Sequence, residues 1–374
     1  MPYVRKLPSG RWRAEYRDPS GRRHGATFLT RGEARAWGGE QESKVRRRQH
    51  VDPRSGRQPF ADVAERWWAG RVVEDTTRAT NRIRLDKHII AHWGRYPVEA
   101  IVPSSVQAWI RQMEKGGMSA WSIRAVFNLF AGILDAAVAD RLIPDNPARG
   151  ARLPAKPPSR MTVLTEAEVA AVSEAMARRE GAAEFDRAVL ALLAYTGLRW
   201  GEAAGLRRRR LDPMLRHLDV VETLTEVNGR FATKAYPKSK ANRRVPIPDN
   251  LRDMLAAHLA RYPAELDQLV FRPQVLGYRW GRGEALSRHH WSRTAFYPAV
   301  KVALKRSDVH IHDLRHSYAT WLVALGVPIT EVAAILGHAS IVTTQQYAHA
   351  TPERFDRVVE ALRQEQLPGL RVIE

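Results

Sequence analysis

Residues 310–349 read HIHDLRHSYATWLVALGVPITEVAAILGHASIVTTQQYAH, and the interpretation of the whole chain starts from them. The first part has the apolar spacing of an amphipathic helix, which predicts a stripe that faces the core. The stripe consists of Leu314, Tyr318, Trp321, Leu322 and Leu325. Gly326 and Pro328 end this helix, and a second apolar pattern predicts another helix that ends at Gly337.

The same stretch carries polar side chains that could do chemistry together. His312 and Arg315 lie three positions apart on one helical flank, close enough to address one ligand. His316 is predicted to point the opposite way and to take no part. His338 follows the end of the second helix, and Tyr347 comes nine residues later on a third predicted helix. A tyrosine in this company is a candidate nucleophile.

Transfer of a DNA phosphodiester to a tyrosine would use these residue types. Its transition state spreads negative charge over the non-bridging oxygens, so fixed cations and hydrogen-bond donors stabilise it. Arginine fits this task because its planar fork is bidentate and always charged. A second arginine is therefore expected, and Arg199 supplies one within TGLRWGE, residues 196–202, just after the apolar run 188–195.

Four motifs together resemble the tyrosine recombinases, specifically the phage-type integrases. They are TGLRWGE at 196–202, HDLRH at 312–316, LGH at 336–338 and the tyrosine at 347. In the family two arginines clamp the scissile phosphate, histidines hydrogen-bond it or assist proton transfer, a lysine acts as general acid, a tyrosine attacks and an acidic residue buttresses the site. The positions that match these roles are Arg199, Arg315, His312, His338, Lys240, Tyr347 and Glu202.

The resemblance also implies a reaction and its partners. The tyrosine stays joined to a 3′-phosphate, a 5′-hydroxyl leaves, and strand exchange passes through a Holliday junction without metal, nucleotide or other cofactor. Such an enzyme integrates or excises a phage or another mobile element. The implied partners are double-stranded DNA with core-type and arm-type attachment sites, three further copies of the chain in a homotetramer on DNA, a host DNA-bending protein and an excisionase.

The position of the general acid rests on a predicted sheet. Residues 217–226 and 230–236 flank Asn228 and Gly229, a strong hairpin signal, and residues 243–247 are expected to add a third strand. The loop before that third strand is where the family places its lysine, and the pattern SK followed by VPIP favours Lys240. Lys238 and Lys234 remain candidates. An ammonium suits proton delivery to the leaving oxygen, since a guanidinium does not release its proton.

Composition points to the same kind of partner. The chain has 374 residues, 60 Lys or Arg against 40 Asp or Glu, a formal net charge of +20 and a pI near 10.7. Such an excess favours a polyanion, and nucleic acid fits best. We find no apolar run near the roughly 20 residues that span a bilayer and no signal-peptide core, so we expect a cytoplasmic, nucleoid-associated protein without a membrane partner. The absence of cysteine excludes disulfides and thiolate metal sites.

The expected fold is multidomain and mainly α with small β-sheets. Residues 1–57 predict a three-stranded sheet and a capped helix, and they hold 15 Lys or Arg against six Asp or Glu. This part resembles an arm-type DNA-binding domain. The remaining predicted parts are a helical core-binding domain at 58–148, a basic Pro-rich linker at 149–160, the catalytic domain at 161–363 and a tail at 364–374 that could pack on a neighbouring subunit. In the core-binding domain, Trp67, Trp68, Trp109 and Trp121 are assigned to packing.

Three other interpretations stay open. His312 and His316 have the spacing of a metal-binding helix, but the glutamate of H-E-x-x-H is missing and Arg315 would repel a divalent cation. A DNA-binding regulator could keep the fold without catalysis. A transposon integrase or a chromosome-dimer resolvase of the same family would show the same motifs.

Overall fold

The computed structural model describes residues 3–19, 21–47, 55–157, 161–178, 181–227, 229–235, 242–273, 285–338 and 340–348. The chain divides into two compact units, residues 1–158 and 159–374, and each unit is described by itself. The division falls inside the stretch predicted to be a linker. Two of the three lysine candidates, Lys238 and Lys240, lie outside the described residues. The last residues of the predicted catalytic domain, 349–363, and the tail at 364–374 lie outside them as well.

The first unit begins with the predicted three-stranded antiparallel sheet. Its strands are β1 (Tyr3–Lys6), β2 (Trp12–Arg17) and β3 (Arg23–Phe28), in that order. Helix α1 (Arg31–Arg46) follows, and Thr30 and Glu33 form the predicted capping box at its start. Alternate β2 residues Ala14 and Tyr16 are buried on one face, where the Tyr16 ring meets Trp37 of α1. The other face of β2 therefore carries Arg13, Glu15 and Arg17.

The rest of the first unit is a helical cluster. Its helices are α2 (Phe60–Ala69), α3 (Asp75–Arg84), which continues through a π-helical turn (Leu85–Ile90) into α4 (Ala91–Trp93), α5 (Pro103–Lys115) and α6 (Ala120–Ala139). Helix α6 is the centre of the core, and Phe130 packs against Trp93 and Trp109 with ring centroids 5.5 and 5.0 Å apart. This helix is long and apolar enough to cross a bilayer, contrary to the expectation that no apolar run approaches that length. Seven of its residues are buried in the core, which accounts for its apolar composition.

One tryptophan does not pack as predicted. Trp68 and Trp109 are buried and Trp67 packs at the edge of the core, but Trp121 is 61% exposed. Trp121 lies in the first turn of α6, where the helix has not yet entered the cluster, and the ammonium of Lys156 sits 4.2 Å from its ring centroid. Its assignment to packing was wrong.

The second unit is built around one nearly fully buried helix, α8. The helices of this unit are α7 (Glu166–Ala177), α8 (Ala183–Thr196), α9 (Trp200–Ala204), α10 (Asp249–Arg261), α11 (Arg288–Trp291), α12 (Tyr297–Leu304), α13 (Ile311–Ala324), α14 (Ile329–Leu336) and α15 (Val342–Ala348). A π-helical stretch (Ser292–Phe296) joins α11 to α12. Helices α7, α10 and α13 surround α8, so the apolar run before Arg199 is core on all sides.

The predicted stripe of α13 is only partly right. Leu314 and Tyr318 are buried, and Trp321 and Leu322 are partly buried against the core. Leu325 is 78% exposed, because α13 ends at Ala324 and its last turn projects beyond the core.

The strands of the second unit form two separate ladders instead of one three-stranded sheet. Strand β4 (His217–Val220) pairs with β7 (Arg243–Pro246), and β5 (Thr223–Val227) pairs with β6 (Arg230–Lys234), both antiparallel. The predicted first strand breaks at residues 221–222, where Glu222 turns to the guanidiniums of Arg207 and Arg210. This pairing places β7 beside β4, and β7 comes directly after the loop that contains Lys238 and Lys240, here called the lysine loop.

Candidate active site

Three arginines converge on the carboxyl end of α14. Each donates a hydrogen bond to one of three consecutive carbonyl groups. The pairs are Arg243 Nε to Ile335 O (2.7 Å), Arg315 Nη2 to Leu336 O (2.6 Å) and Arg199 Nη2 to Gly337 O (3.3 Å). The last carbonyls of a helix lack partners within the helix and carry partial negative charge, so they attract cations. One helix end therefore gathers guanidiniums from three distant parts of the chain.

Gly337 makes this end of α14 possible. Its φ of +66° lies in the left-handed region, which closes the helix and turns the chain toward His338. A Cβ at this position would come within 3.0 Å of Arg243 Cδ and Nη1. The glycine of the LGH motif thus serves both the turn and the close approach of an arginine.

Gly197 has a corresponding role after α8. Its φ is +62°, and a Cβ there would lie 2.6 Å from the Tyr318 ring and 2.8 Å from Leu336. Its carbonyl accepts a hydrogen bond of 2.6 Å from Arg315 Nη1. The turn that ends α8 therefore helps to hold Arg315, and it places Arg199 at the start of α9.

Arg315 is the most buried cation of the site, 2% exposed. Burial, followed by the positive charge of Arg199, lowers the pKa of Arg315 to about 9, while the carboxylate of Glu202 opposes the shift. The guanidinium is still charged at neutral pH. An arriving phosphodiester would find a desolvated cation already in place.

Glu202 holds two of the arginines. Its carboxylate accepts hydrogen bonds from Arg199 N (2.8 Å) and Nη1 (3.0 Å) and from both terminal nitrogens of Arg243 (3.0 and 2.6 Å). Burial by itself would raise the pKa of Glu202, but the hydrogen bonds and charges of Arg243 and Arg199 outweigh it and lower the pKa below its usual value. Glu202 is therefore ionised at neutral pH and fixes the position of Arg199.

Arg243 was not among the residues predicted for the site. Its side chain is 6% exposed and makes three of the contacts above, to Glu202 and to Ile335. A signal existed in the sequence, because an arginine directly follows the lysine loop at the start of a strand. Nothing local, however, indicated that its partner lies 41 residues earlier.

His312 and His338 are brought to the same site in their neutral forms. Burial on the packed side of the ring, then the charges of His316, Arg315, Arg199 and Arg288, lower the pKa of His312 to about 4. The pKa of His338 is also lowered to about 4. Burial is the main cause, followed by the charges of Arg315, Arg199 and Arg243 and a smaller effect of His312. His338 Nδ1 also lies 2.8 Å from Thr344 Oγ1 of α15. Both rings could donate one hydrogen bond to a phosphate oxygen.

Tyr347 is buried on α15, 1% exposed, beside these groups. Burial raises the pKa of Tyr347, although the charges of Arg315 and Arg199 and a hydrogen bond from the Gln346 side chain act against the shift. The phenol is therefore protonated at neutral pH, so attack requires a proton acceptor.

The expectation that His316 points away from the site was wrong. Residues four apart on an α-helix differ by only about 40° around its axis, so His316 shares a face with His312. Their ring centroids lie 4.7 Å apart, and His316 Nδ1 lies 2.8 Å from Tyr347 Oη.

For the general-acid lysine and for a metal site, only the described residues can be compared with the sequence expectations. Of the lysine candidates the structure describes only Lys234, at the end of β6, so the position of the general acid stays a prediction. Within the described ranges no group of three or more His, Asp or Glu side chains could hold a metal ion.

Comparison with known proteins agrees with this geometry. A family profile described as "Phage integrase family" matches residues 162–354, more than half of the chain. The chain belongs to the phage integrase family. Profiles for the N-terminal and central domains of phage integrases match residues 3–47 and 60–153 of this integrase. It is therefore a site-specific tyrosine recombinase, as the motifs predicted.

Individual relatives and solved structures support the same assignment. This integrase is 32% identical to a putative prophage phiRv2 integrase of Mycobacterium tuberculosis over 372 residues, which cover 96% of this chain and 94% of that protein. It is 25% identical over 366 residues to the integrase of Mycobacterium phage L5, which covers 95% of each chain.

Two solved structures share its fold at lower identity. The Tn1549 transposon integrase in complex with a circular intermediate DNA aligns with a TM-score of 0.68 at 18% identity, over 81% of this chain and 99% of that one. A lambda integrase tetramer bound to a Holliday junction aligns with a TM-score of 0.60 at 19% identity, over 91% and 96%.

Proposed function

We propose that this integrase cuts and rejoins DNA at attachment sites through a covalent 3′-phosphotyrosine on Tyr347, and so inserts or excises a phage or other mobile element. The observation that carries the proposal is the gathering of Arg199, Arg315 and His338 at the end of α14, beside a buried tyrosine. Of the described side chains, Arg199 and Arg315 are cations and His338 and Tyr347 are neutral hydrogen-bond donors, while the Glu202 carboxylate faces the arginines. That arrangement suits the negative charge of a phosphoryl transition state.

In this mechanism Arg199 and Arg315 bind the two non-bridging oxygens of the scissile phosphate. In the free protein Arg315 donates both terminal nitrogens to carbonyl groups, so the backbone holds its place until DNA arrives. His312 and His338 donate hydrogen bonds to the same phosphate. Tyr347 attacks phosphorus and the 5′-oxygen leaves with a proton from Lys240. Rejoining is the same step in reverse, with a 5′-hydroxyl of the partner strand as nucleophile.

The parts of the chain outside the catalytic domain are proposed to bring DNA to this site. Residues 1–57 read arm-type sites, residues 58–148 grip the core site, and the basic linker at 149–160 follows the phosphate backbone from the core-binding domain to the catalytic domain. The active assembly is a homotetramer on DNA, and the tail at 364–374 packs on a neighbouring subunit. A host DNA-bending protein and an excisionase would set the direction. The lambda integrase tetramer on a Holliday junction supports such an assembly for a protein of the same fold.

A nicked suicide duplex carrying the integrase's own core site tests the central proposal. The wild-type protein is expected to form a covalent DNA adduct in the presence of a metal chelator, since no step uses a divalent cation. Tyr347→Phe is expected to bind the duplex and form none. An adduct formed by Tyr347→Phe, or complete loss of the wild-type adduct in chelator, would show that the assignment is wrong. An adduct from the wild-type protein also excludes a catalytically silent regulator.

Lys240 is tested separately with a substrate that has sulfur in the bridging 5′ position. A thiolate leaves without a proton, so this substrate is expected to restore cleavage by Lys240→Ala. Lys238→Ala and Lys234→Ala serve as matched controls, because both remove an ammonium from the same region. If the sulfur restores Lys238→Ala and leaves Lys240→Ala inactive, the general acid lies two residues earlier.

A further inference from the structure

Tyr347 Oη and His316 Nδ1 lie 2.8 Å apart, although the two residues are on different helices and 31 positions apart in sequence. Tyr347 comes from α15 and is fully buried, while His316 is half-buried on α13 directly after Arg315. The hydroxyl of a protonated tyrosine donates a hydrogen bond, so the imidazole nitrogen accepts it. This arrangement requires that the His316 ring carry its proton on Nε2.

The surroundings of His316 keep the ring able to accept a proton. Burial lowers the pKa of His316, and Arg315 adds to this effect while Asp313 opposes it. The charged and titratable groups that face the ring are His312, Asp313 and Arg315 of its own helix and Tyr347 of α15. The imidazole is therefore neutral at physiological pH, next to a phenol that must lose its proton in order to attack.

The other two histidines of the site are less suited to this step. The His338 ring lies nearly parallel to the Tyr347 ring, with 11° between the planes and 6.3 Å between centroids, whereas the hydrogen bond of Tyr347 Oη goes to His316. The Nδ1 of His338 is also paired with Thr344. The His312 ring meets the His316 ring edge-on, at 81°.

We propose that His316 is the general base that removes the proton from Tyr347 as the tyrosine attacks DNA. This inference rests on the proposed function, in which Tyr347 is the nucleophile. It assigns a catalytic role to a histidine that the motif comparison left without one.

The step balances in protons and bonds. The Oη proton passes to His316 Nδ1 while the bond from Oη to phosphorus forms. The bond from phosphorus to the 5′-oxygen breaks, and that oxygen takes a proton from the general acid. His316 is then an imidazolium, and the negative charge of Asp313 favours this charged form. In the rejoining step it returns the same proton to Tyr347, so the enzyme ends in its starting state.

Two substitutions separate a base from a residue that only positions the tyrosine. His316→Asn places an amide oxygen near the position of Nδ1, so it keeps a hydrogen-bond acceptor that cannot take a proton. His316→Ala removes both functions. We expect both variants to lose about 10²- to 10⁴-fold in rate, the usual contribution of a general base. Added imidazole should restore part of the rate to His316→Ala, which also shows that the variant is folded.

The rates are measured in single turnover, at saturating protein, on the suicide duplex with a 5′-bridging sulfur. That substrate removes the need for a general acid, so only activation of the nucleophile limits the rate. His310→Asn is the matched control, because His310 is an exposed histidine at the start of the same helix whose ring lies near Tyr297. It is expected to cleave at the wild-type rate. The wild-type rate should rise with pH and then level off, while the His316→Asn rate should keep rising into the alkaline range.

The outcomes distinguish the role of His316 as general base from the role of Tyr347 as nucleophile. If His316→Asn cleaves at the wild-type rate, His316 only positions Tyr347 and the inference is overturned. The same holds if imidazole fails to restore a His316→Ala protein that still binds DNA. If Tyr347→Phe forms a covalent adduct, the proposed function itself fails, whatever the His316 variants do.

Discussion

At the scale of single residues, the site depends on a pair that local sequence does not reveal. Glu202 is a buried carboxylate, and its two oxygens are shared by Arg243 and Arg199. A buried charge that loses its partner is left uncompensated, which costs far more than the loss of a surface pair. Arg243 is therefore a positioning residue, since it acts on Arg199 through Glu202.

Arg243→Met tests this pair. We expect it to lower the free energy of unfolding by about 3–5 kcal/mol, because Glu202 would stay buried with one cation fewer. Arg243→Met combined with Glu202→Gln should be more stable than Arg243→Met alone. Arg244→Met is the control, since Arg244 pairs with Asp219 at the surface and such pairs contribute about 0–1 kcal/mol. Equal losses for Arg243→Met and Arg244→Met in chemical denaturation would refute the role of Arg243.

The two neutral histidines give a pH dependence whose direction follows from their shifts. The pKa values of His312 and His338 are about 4 in the folded chain, below the ordinary 6.5 of an unfolded one. The unfolded state therefore binds more protons between these values, and stability falls as pH decreases from about 6.5 toward 4. We expect the melting temperature of His312→Gln/His338→Gln to fall less over this range than that of the wild type. An identical decline would mean that other groups cause it.

At the scale of secondary structure, the end of α14 organises the candidate active site. Its three free carbonyls bind three guanidiniums, and Gly337 lets the chain turn away beneath them. A helix that ended one residue earlier or later would present these carbonyls in another direction. The LGH motif therefore contributes His338 and also orients Arg315 and Arg199 through the carbonyl groups of Leu336 and Gly337.

Gly337→Ala is the corresponding prediction. The left-handed conformation costs a residue with a Cβ about 1–2 kcal/mol, and here the Cβ would also press on Arg243. Because displaced arginines no longer fit the phosphate, cleavage should fall by up to about 100-fold. Gly326→Ala is the matched control, with φ of +84° and no atom within 4 Å of its Cβ. It should lose similar stability yet keep the cleavage rate. Equal rates for the two variants on the suicide duplex would contradict this account.

At the scale of the whole molecule, the first three strands present a basic surface. The face of the sheet opposite Ala14 and Tyr16 carries Arg13 and Arg17, which lie across from Arg5 and Arg23 on the neighbouring strands. It also carries one acidic residue, Glu15, which forms an ion pair with Arg13. A sheet face of this kind can enter a major groove, with side chains on base edges and phosphates. This surface agrees with the proposal that residues 1–57 read arm-type sites.

Removing residues 1–55 tests whether this segment binds the arm-type sites while the rest of the chain cleaves the core site. We expect the truncated protein to lose protection of sites that flank the crossover and to keep cleavage of a short core-site suicide duplex. Footprinting measures the first and adduct formation the second. Within the full chain, Arg13→Ala should weaken arm-site binding, whereas Arg35→Ala, an exposed position on α1, should change it little. Flanking protection by the truncated protein would make residues 1–55 a charged appendage only.

What the sequence determined by itself was carried by short-range patterns. Three patterns depend on neighbours within a few helical turns. They are the capping box at Thr30, the helical spacing around Leu314, and the motifs that hold Arg199, Arg315, His338 and Tyr347. Such patterns were enough for the multidomain, mainly helical fold, for the family and for the candidate catalytic residues.

Only the tertiary structure decided which side chains meet. The contacts of His316 with Tyr347 and of Arg243 with Glu202 span 31 and 41 residues. The split of one predicted sheet into two ladders likewise depends on how β4 pairs with a strand beyond the lysine loop. No local pattern encodes these pairings, because they follow from where packed helices and strands end. The sequence was therefore enough to name candidate catalytic residues, while the contacts of the described ones were set by the packing of α13, α14 and α15 around a single helix end.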